Sequence, residues 1–390
     1  MRVVAPPKGR LSESRAPSKY WLLGLVVVLV VLLVVPAITR SPSLPPADVL
    51  YRHDEQLPVN ALCGRGLVAV LGSSDGGSQQ AVWLQPGEQG FDGRLVYRGE
   101  LGVMVKPCGS DLLTADANGL GCWRLTGAGQ LERIWYHERA SFGSPAQIAA
   151  TAAGAVVVFR QAGDAAPYDR LVSFSHDGAK RWALALTAGD AVTAIANPGR
   201  LTVVGTYNPW QKRSALFGID ENGTPQWCLE AGSQPVISLT GPDHGESFFA
   251  GLGHGLWSLS FSGETLWSYD GPGPCLFVAA DPQGRFVAAA FLVSRPGLPF
   301  LPRSETMIVC FDAHGRRLWE HDSQKPLLGM AWLEAPPQLV LAYEKEIAAR
   351  GLSGAILWRA AVSEPVSAFD IAGQQVLVGT IQGAICGYQP

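Results

Sequence analysis

Short apolar runs separated by turn-forming residues make up most of the chain after residue 47. Around Gly223 four such runs follow one another: Val192 to Ala196, Arg200 to Gly205, Ser214 to Ile219 and Pro225 to Leu229. Runs of this length that are rich in β-branched and aromatic residues, with Gly, Pro, Asn or Asp between them, are typical of β-strands joined by tight turns. The pattern predicts a unit of four short antiparallel strands.

This unit recurs along the chain, and each copy is marked by a glycine followed four residues later by an aromatic residue. Six copies have this spacing: Gly93 to Tyr97, Gly178 to Trp182, Gly223 to Trp227, Gly263 to Trp267, Gly315 to Trp319 and Gly354 to Trp358. A looser seventh copy runs from Gly129 to Trp135. The intervals range from 36 residues (Gly93 to Gly129) to 52 residues (Gly263 to Gly315). Four-stranded repeats of this length predict an all-β propeller.

The repeated residues are expected to build the fold rather than to bind a ligand. A tight turn between the third and fourth strands calls for a residue at positive φ, which glycine adopts without steric cost. The aromatic residue then lies at a fixed place on the outer strand, where its ring fills the wedge between neighbouring sheets.

The two ends of the chain decide how the propeller closes. After the last copy three strand-like runs remain: Pro365 to Ala372, Gln375 to Gly379 and Gly383 to Gln389. Near the start, Val49 to His53 resembles a fourth strand without a repeat of its own. We therefore predict that residues 48–54 complete the last blade, which leaves no open sheet edge. The prediction is an eight-bladed β-propeller of four-stranded antiparallel blades over residues 48–390, with seven blades as the alternative.

The units resemble the repeats of pyrroloquinoline-quinone-type (PQQ-like) propellers, whose consensus is an apolar strand, a turn with Asp and Gly, and a Trp four residues after the Gly. The best matches are Asp177 to Trp182, Asn222 to Trp227 and Asp312 to Trp319. The consensus Thr before the Gly is absent from every copy. WD40 repeats fit less well, because no Trp in this chain is followed by Asp.

The resemblance implies one of two functions. Dehydrogenases of the family hold the quinone with a disulfide between adjacent cysteines and a calcium site of Glu, Asn and Asp, and this chain has no adjacent cysteine pair. A second branch consists of non-catalytic scaffolds, such as the outer-membrane assembly lipoprotein, which bind partner proteins. The chain resembles that branch in size but lacks its lipid-attachment Cys. The resemblance therefore favours a scaffold that needs no cofactor.

One segment departs from the strand pattern. Residues 20–38 (YWLLGLVVVLVVLLVVPAI) carry no charge, and at about 1.5 Å rise per residue such a helix crosses a hydrocarbon core of ~30 Å. Residues 1–19 carry five basic residues and one acid, so the positive-inside rule places the N-terminus in the cytoplasm. The absence of a good Ala-x-Ala site favours an uncleaved anchor over a signal peptide. We expect a cytoplasmic tail (1–19), a transmembrane helix (20–38), a Pro/Ser linker (39–47) and a propeller outside the cytoplasm.

Composition and motifs give little support for catalysis. The net charge of -3 offers no electrostatic case for nucleic-acid binding. His244 and His254 lie near Asp243 and Glu246, but without zinc-type spacing we expect a polar loop there rather than a metal site. No Gly-x-Ser-x-Gly or Walker-type motif is present. The prediction is a protein without catalytic residues, cofactor or metal.

Cysteine usage leaves the redox state open. Seven cysteines are an odd number, although a location outside the cytoplasm allows disulfides. Cys122, Cys310 and Cys386 lie in apolar strand runs, where Cys acts as a small hydrophobe. Cys63 and Cys108 occupy matching places in successive repeats. A disulfide bond between these two residues is one alternative.

Function in a propeller is expected where the repeats differ. Four connections between second and third strands are long: Gly72 to Gln80, Arg160 to Arg170, Thr206 to Arg213 and Phe291 to Glu305. Antiparallel blades place all these connections on one face. Two of them combine aromatic or apolar residues with cations and prolines, which suit an interface because aromatic and Arg side chains anchor partners and Pro limits the entropy lost on docking. The candidate partner-binding residues are Tyr207, Trp210, Lys212, Arg213, Arg295, Leu298, Phe300, Leu301 and Arg303.

These features predict a membrane-anchored extracytoplasmic scaffold that binds a protein partner or another ligand, in a cell-envelope assembly. The partner is expected on the long-loop face and the membrane near the short-loop face, because the strand after the linker starts on the latter. The alternative for the two loops is that they fold over the propeller itself. The alternative for the whole protein is a propeller enzyme, either a quinone-dependent oxidoreductase or a hydrolase, with its site on the long-loop face.

Overall fold

The computed structural model describes residues 48–52, 59–63, 68–71, 79–87, 90–99, 104–108, 111–115, 119–126, 130–151, 153–161, 168–199, 201–242, 245–295 and 303–390. The predicted tail, transmembrane helix and linker (1–47) lie outside these ranges. Within them, no helix is both long enough and apolar enough to cross a membrane.

Strands account for almost all regular structure in the described chain. The first half contains β1 (Asp48–Arg52), β2 (Val59–Cys63), β3 (Val68–Leu71), β4 (Gln79–Gly87), β5 (Gly90–Gly99), β6 (Met104–Cys108), β7 (Asp111–Ala115), β8 (Gly119–Leu125), β9 (Leu131–Glu138), the helix α1 (Arg139–Phe142), β10 (Ser144–Thr151), β11 (Gly154–Gln161), β12 (Tyr168–Ser175), β13 (Lys180–Ala185), β14 (Ala191–Ala196), β15 (Thr202–Asn208), β16 (Arg213–Ile219) and β17 (Pro225–Glu230). The second half contains β18 (Val236–Thr240), β19 (Ser247–Leu252), β20 (Gly255–Ser260), β21 (Thr265–Asp270), β22 (Cys275–Ala280), β23 (Phe286–Arg295), β24 (Arg303–Asp312), β25 (Arg317–Ser323), β26 (Leu327–Leu333), β27 (Gln338–Tyr343), β28 (Glu346–Arg350), β29 (Ile356–Ala361), β30 (Val366–Ala372), β31 (Gln375–Thr380) and β32 (Ala384–Tyr388).

Within the described ranges these strands form eight antiparallel sheets of four strands. Seven sheets use consecutive strands, from the first (β2–β5) to the seventh (β26–β29), and the eighth joins β30, β31 and β32 to β1. In the eighth sheet Asp48 pairs with Gly387 and Arg52 pairs with Ala384. The N-terminal strand thus takes the outer position that the sequence analysis expects for it, while residues 53–54 lie outside the described part.

The sheets are arranged as a closed ring. The first strand of each sheet contacts the first strand of the next, from β2 through β6, β10, β14, β18, β22 and β26 to β30, and β30 contacts β2. Apolar side chains from neighbouring sheets pack against each other between the sheets, as Val203, Leu216 and Phe248 do between the fourth and fifth. The described part of the chain is therefore an all-β propeller of four-stranded antiparallel blades.

Five outer-strand tryptophans each pack on a turn of the next sheet: Trp135, Trp182, Trp227, Trp267 and Trp319. The glycine of that turn has a positive φ, between +79° at Gly315 and +84° at Gly223. A Cβ atom placed on Gly263 would lie 2.6 Å from the Trp227 ring, and one on Gly223 would lie 2.6 Å from the Trp182 ring. Glycine is thus required for its φ and also for its missing side chain, and the sequence analysis predicts only the first reason.

The indole N–H of these tryptophans also donates a hydrogen bond to the next sheet. The acceptor is the backbone carbonyl two residues before the turn glycine, at 2.8–3.0 Å. The pairs are Trp135 with His176, Trp182 with Glu221, Trp227 with Phe261 and Trp267 with Ala313. We name the ring, the glycine and this hydrogen bond together the Trp–Gly latch. The latch shows that the repeated aromatic residues serve the fold.

Replacing Gly263 by Ala tests the latch. The added methyl group meets the Trp227 ring at 2.6 Å and the residue must hold φ +82°, so the free energy of unfolding should fall by about 2–5 kcal/mol. Gly232→Ala is the matched control, because Gly232 has φ +86° but a Cβ atom there meets nothing within 4 Å. In this control the free energy of unfolding should fall by only about 1–2 kcal/mol. Urea unfolding compares the two, and equal losses would show that the ring contact contributes nothing.

Candidate functional site

The connections between second and third strands share one face with the links between sheets, because the second and fourth strands of an antiparallel sheet run in the same direction. We name it the link face. In the described chain its turns between strands include residues 209–212, 253–254, 344–345 and 381–383. Four second-to-third connections, 72–78, 116–118, 162–167 and 296–302, lie outside the described residues. The site is therefore built from the turns that are described.

The two predicted long loops that carry the candidate binding residues are partly strand. β15 continues to Asn208 and β16 begins at Arg213, so only residues 209–212 join them. β23 likewise continues to Arg295, which pairs with Arg303 at the start of β24. The expectation of an extended loop from Thr206 to Arg213 is thus wrong, because backbone pairing of the two strands extends almost to the turn.

Trp210 is the most exposed large apolar side chain of the described residues, with 78% of its surface accessible. Its turn is fixed by Asn208, whose side-chain oxygen accepts hydrogen bonds from the backbone N–H groups of Trp210 (3.1 Å) and Gln211 (3.0 Å). The Asn208 amide group in turn donates to the Asp190 carboxylate at 2.8 Å, and both of these side chains are buried. An exposed indole is therefore held on an Asx-type turn anchored in the core.

Two cations lie next to Trp210 in sequence. Lys212 and Arg213 are both exposed, and Lys212 has φ +48°, a left-handed conformation that side chains other than Gly, Asn and Asp rarely adopt. Partial burial raises the pKa of the Cys228 thiol, and the charge of Arg213 offsets part of that rise. Tyr207 is half-buried in β15 and pairs with Ser214. Of the predicted residues in this hairpin, Trp210, Lys212 and Arg213 are therefore the accessible ones.

The second predicted loop is described only at its two ends. The backbones of Arg295 and Arg303 lie opposite each other in the ladder. Leu298, Phe300 and Leu301 lie outside the described residues. Their role in binding a partner stays a prediction.

Two further exposed apolar side chains belong to the link face. Ile381, with 46% of its surface exposed, lies in the turn between β31 and β32, and Leu328, 44% exposed, lies at the start of β26. The sequence analysis missed both, because Ile381 stands alone in a short turn and Leu328 belongs to the apolar run of β26. The Asn-Pro pair at residues 208–209, in contrast, is a turn signal that could have identified the anchor of the Trp210 turn.

The described residues show whether metal-ligand clusters are present and whether two buried thiols are protonated. They contain no group of three or more His, Cys, Asp or Glu placed to hold a metal ion, and residues 243–244 of the predicted polar loop lie outside them. Burial raises the pKa of the Cys310 thiol to about 12 and also raises that of Cys275, so both stay protonated at neutral pH. The bridge between Cys63 and Cys108 remains untested, since nothing is described of their side chains.

Comparison with known proteins identifies the fold but no family. No family model matches the chain, and no curated protein matches it in sequence. The crystal structure of BamB from Moraxella catarrhalis has a TM-score of 0.61 at 15% identity, covering 89% of this chain and 100% of that one. Sqt1 from Chaetomium thermophilum, bound to the N-terminus of the ribosomal protein L10, has a TM-score of 0.65 at 12% identity, covering 88% and 100%.

A third similar structure is the C-terminal WD40 domain of Sif2, with a TM-score of 0.63 at 10% identity over 89% of this chain and 99% of that one. At such identities these likenesses establish the propeller fold alone. Because a WD40 domain is among them, they do not single out one kind of repeat. The PQQ-like assignment therefore stays a prediction.

Replacing Asn208 by Ala tests whether this residue holds the turn of Trp210. The variant removes two hydrogen bonds to the turn and leaves the buried Asp190 carboxylate without its amide donor. The backbone amides of Trp210 and Gln211 should then exchange their hydrogens about tenfold faster or more. Asn222→Ala, at an exposed turn of the same sheet, is the control and should leave both rates unchanged. Unchanged rates in Asn208→Ala would contradict the anchoring role.

Proposed function

We propose that the protein is a membrane-anchored binding scaffold of the PQQ-like kind, and that a partner protein docks on the link face at Trp210. The observation that carries the proposal is the 78% exposure of this indole on a turn held by buried polar groups. An indole is a preferred anchor at protein interfaces. A turn that is already ordered loses little conformational entropy on binding. The site is thus prepared to bury Trp210 against a partner.

Two cations close to Trp210 in sequence add to this proposal. Lys212 and Arg213 are exposed next to Trp210, as expected at the polar rim of an interface. The Sqt1 structure supports the general idea, since that propeller, similar in fold, is seen bound to the N-terminal segment of another protein. In this chain the partner is proposed to be a protein of the same envelope assembly.

The membrane part of the proposal is supported by residues 20–38, which are uncharged and long enough to cross a bilayer. The basic residues of 1–19 support a cytoplasmic N-terminus and a propeller on the other side of the membrane. In that arrangement the propeller is presented to partners in the extracytoplasmic space while the helix keeps it at the membrane.

Site-specific photo-crosslinking in cells tests the docking site. A photoreactive residue in place of Trp210 should give a discrete adduct with a protein partner, because this position is proposed to be buried in the complex. The same residue in place of Leu266, an outer-strand side chain that is 52% exposed, is the control and should give none. Adducts of equal yield and size at both positions would reject the link face as the docking site.

Extraction of membranes with alkaline carbonate tests the anchor. The full chain should remain in the membrane pellet, and a variant that lacks residues 20–38 should be released, because an apolar helix of this length is held by the hydrocarbon core. Protease added outside intact cells or spheroplasts should degrade the propeller of the full chain. Release of the full chain by carbonate, or protection of the propeller from the protease, would contradict this part of the proposal.

A further inference from the structure

One boundary between sheets breaks a rule that the other described boundaries keep. The residue four positions before each turn glycine packs against the tryptophan of the preceding sheet. At four turns it is apolar and 0–1% exposed: Phe174, Ile219, Leu259 and Phe311. At the fifth turn, before Gly354, it is Arg350. A guanidinium thus occupies a core position between the sixth and seventh sheets.

Arg350 is buried, with only 8% of its surface exposed, and has no carboxylate partner among the described residues. By comparison, Arg124, Arg160 and Arg285 each pair with an Asp at 2.7–3.0 Å. The Nη1 group of Arg350 donates to the Gly354 carbonyl at 2.6 Å, whereas its Nε–H group has no acceptor. Burial lowers the pKa of Arg350. Burying a charge in this way is costly when nothing compensates it.

The neighbouring latch is incomplete at the same place. Trp319 covers Gly354, where a Cβ atom would lie 2.8 Å from its ring, but its indole N–H has no acceptor, unlike those of the four complete latches. The Arg350 guanidinium carbon lies 6.0 Å from the centre of the Trp319 ring. Two donors without acceptors therefore stand side by side at one boundary, and neither side chain can accept a hydrogen bond.

A third nitrogen group lies near this pair. His321 follows Trp319 by two residues in β25, so the two side chains face the same side of the strand. Burial and the charge of Arg350 lower the pKa of His321, the Asp322 carboxylate opposes part of this, and Arg359 adds a smaller lowering. A neutral imidazole can donate one hydrogen bond and accept another, so His321 adds a further polar group to this boundary.

We propose that Arg350 and Trp319 form a binding site for an oxyanion, a carboxylate or a phosphate group, at the boundary of the sixth and seventh sheets. An oxyanion accepts hydrogen bonds from both the guanidinium and the indole and neutralises the buried charge. Arg350 and Trp319 are each 8% exposed and their unpaired N–H groups are buried, so an oxyanion reaches these donors only when neighbouring side chains shift. The fold does not need the guanidinium, because Leu259 fills the equivalent position two sheets earlier. This site is independent of docking at Trp210.

Titration calorimetry on the full chain tests the proposal, with inorganic phosphate and succinate as separate probes at matched ionic strength in potassium chloride. The wild type should give saturable heat with at least one probe, and the stronger one shows whether phosphate or carboxylate is preferred. Trp319→Phe keeps the ring but loses the N–H donor, so binding should weaken about 3- to 10-fold. Arg350→Leu should abolish it. Arg317→Leu removes an exposed arginine of the same strand as Trp319 and should bind as the wild type does.

Urea unfolding distinguishes a role of Arg350 in ligand binding from a role in the stability of the fold. In chloride alone Arg350→Leu should unfold at the same or a higher urea concentration than the wild type, because it replaces an uncompensated buried charge by the apolar residue of the other repeats. A lower unfolding midpoint would mean that the guanidinium serves the fold, and would overturn the proposal. So would wild-type protein that binds neither probe, or Arg350→Leu protein that binds as tightly as the wild type.

Discussion

The packing of an indole ring on a glycine of the next sheet is the contact on which the rest of the propeller depends. The ring can lie there only because the glycine has no Cβ atom, as the 2.6 Å approach of Trp227 to Gly263 shows. The same indole bonds to a carbonyl of that turn, so the contact fixes distance and orientation together. The sheets from the second to the sixth are thereby each set relative to the next.

The latch cannot close the ring, because the eighth sheet has no turn between its third and fourth strands. That sheet takes β32 from the end of the chain and β1 from its start. Trp358, with no glycine turn ahead of it, donates its indole hydrogen bond to Gln338 of its own sheet at 2.9 Å. Closure relies instead on the pairing of β1 with β32 and on contacts such as that of the Ser367 hydroxyl with the Val59 carbonyl at 2.8 Å.

The sequence alone is enough to predict the four-stranded unit, the turn glycine and the place of the N-terminal strand, because these depend on local periodicity and turn chemistry. It is not enough to predict what the tryptophans touch, since Trp227 bonds to Phe261 across 34 residues. The boundary of the Thr206 to Arg213 segment was also wrong: Tyr207 is of a type that favours strands, but its pairing with Ser214 becomes visible only in the structure. Asn208 was overlooked although its turn signal was present.

Arg350 shows a different limit of sequence reading. Arg350 ends an ordinary strand, EIAAR. A charged residue at the end of a strand suggests a side chain in contact with solvent. Only its alignment with Phe174 and Leu259 through the turn glycine shows that the position lies in the core. The two departures from the repeat therefore have opposite costs: Trp210 exposes apolar surface to water, and Arg350 withdraws a charge from it. Each residue therefore costs free energy that the usual residue of the repeat would not, and this cost is the physical ground of the two proposals.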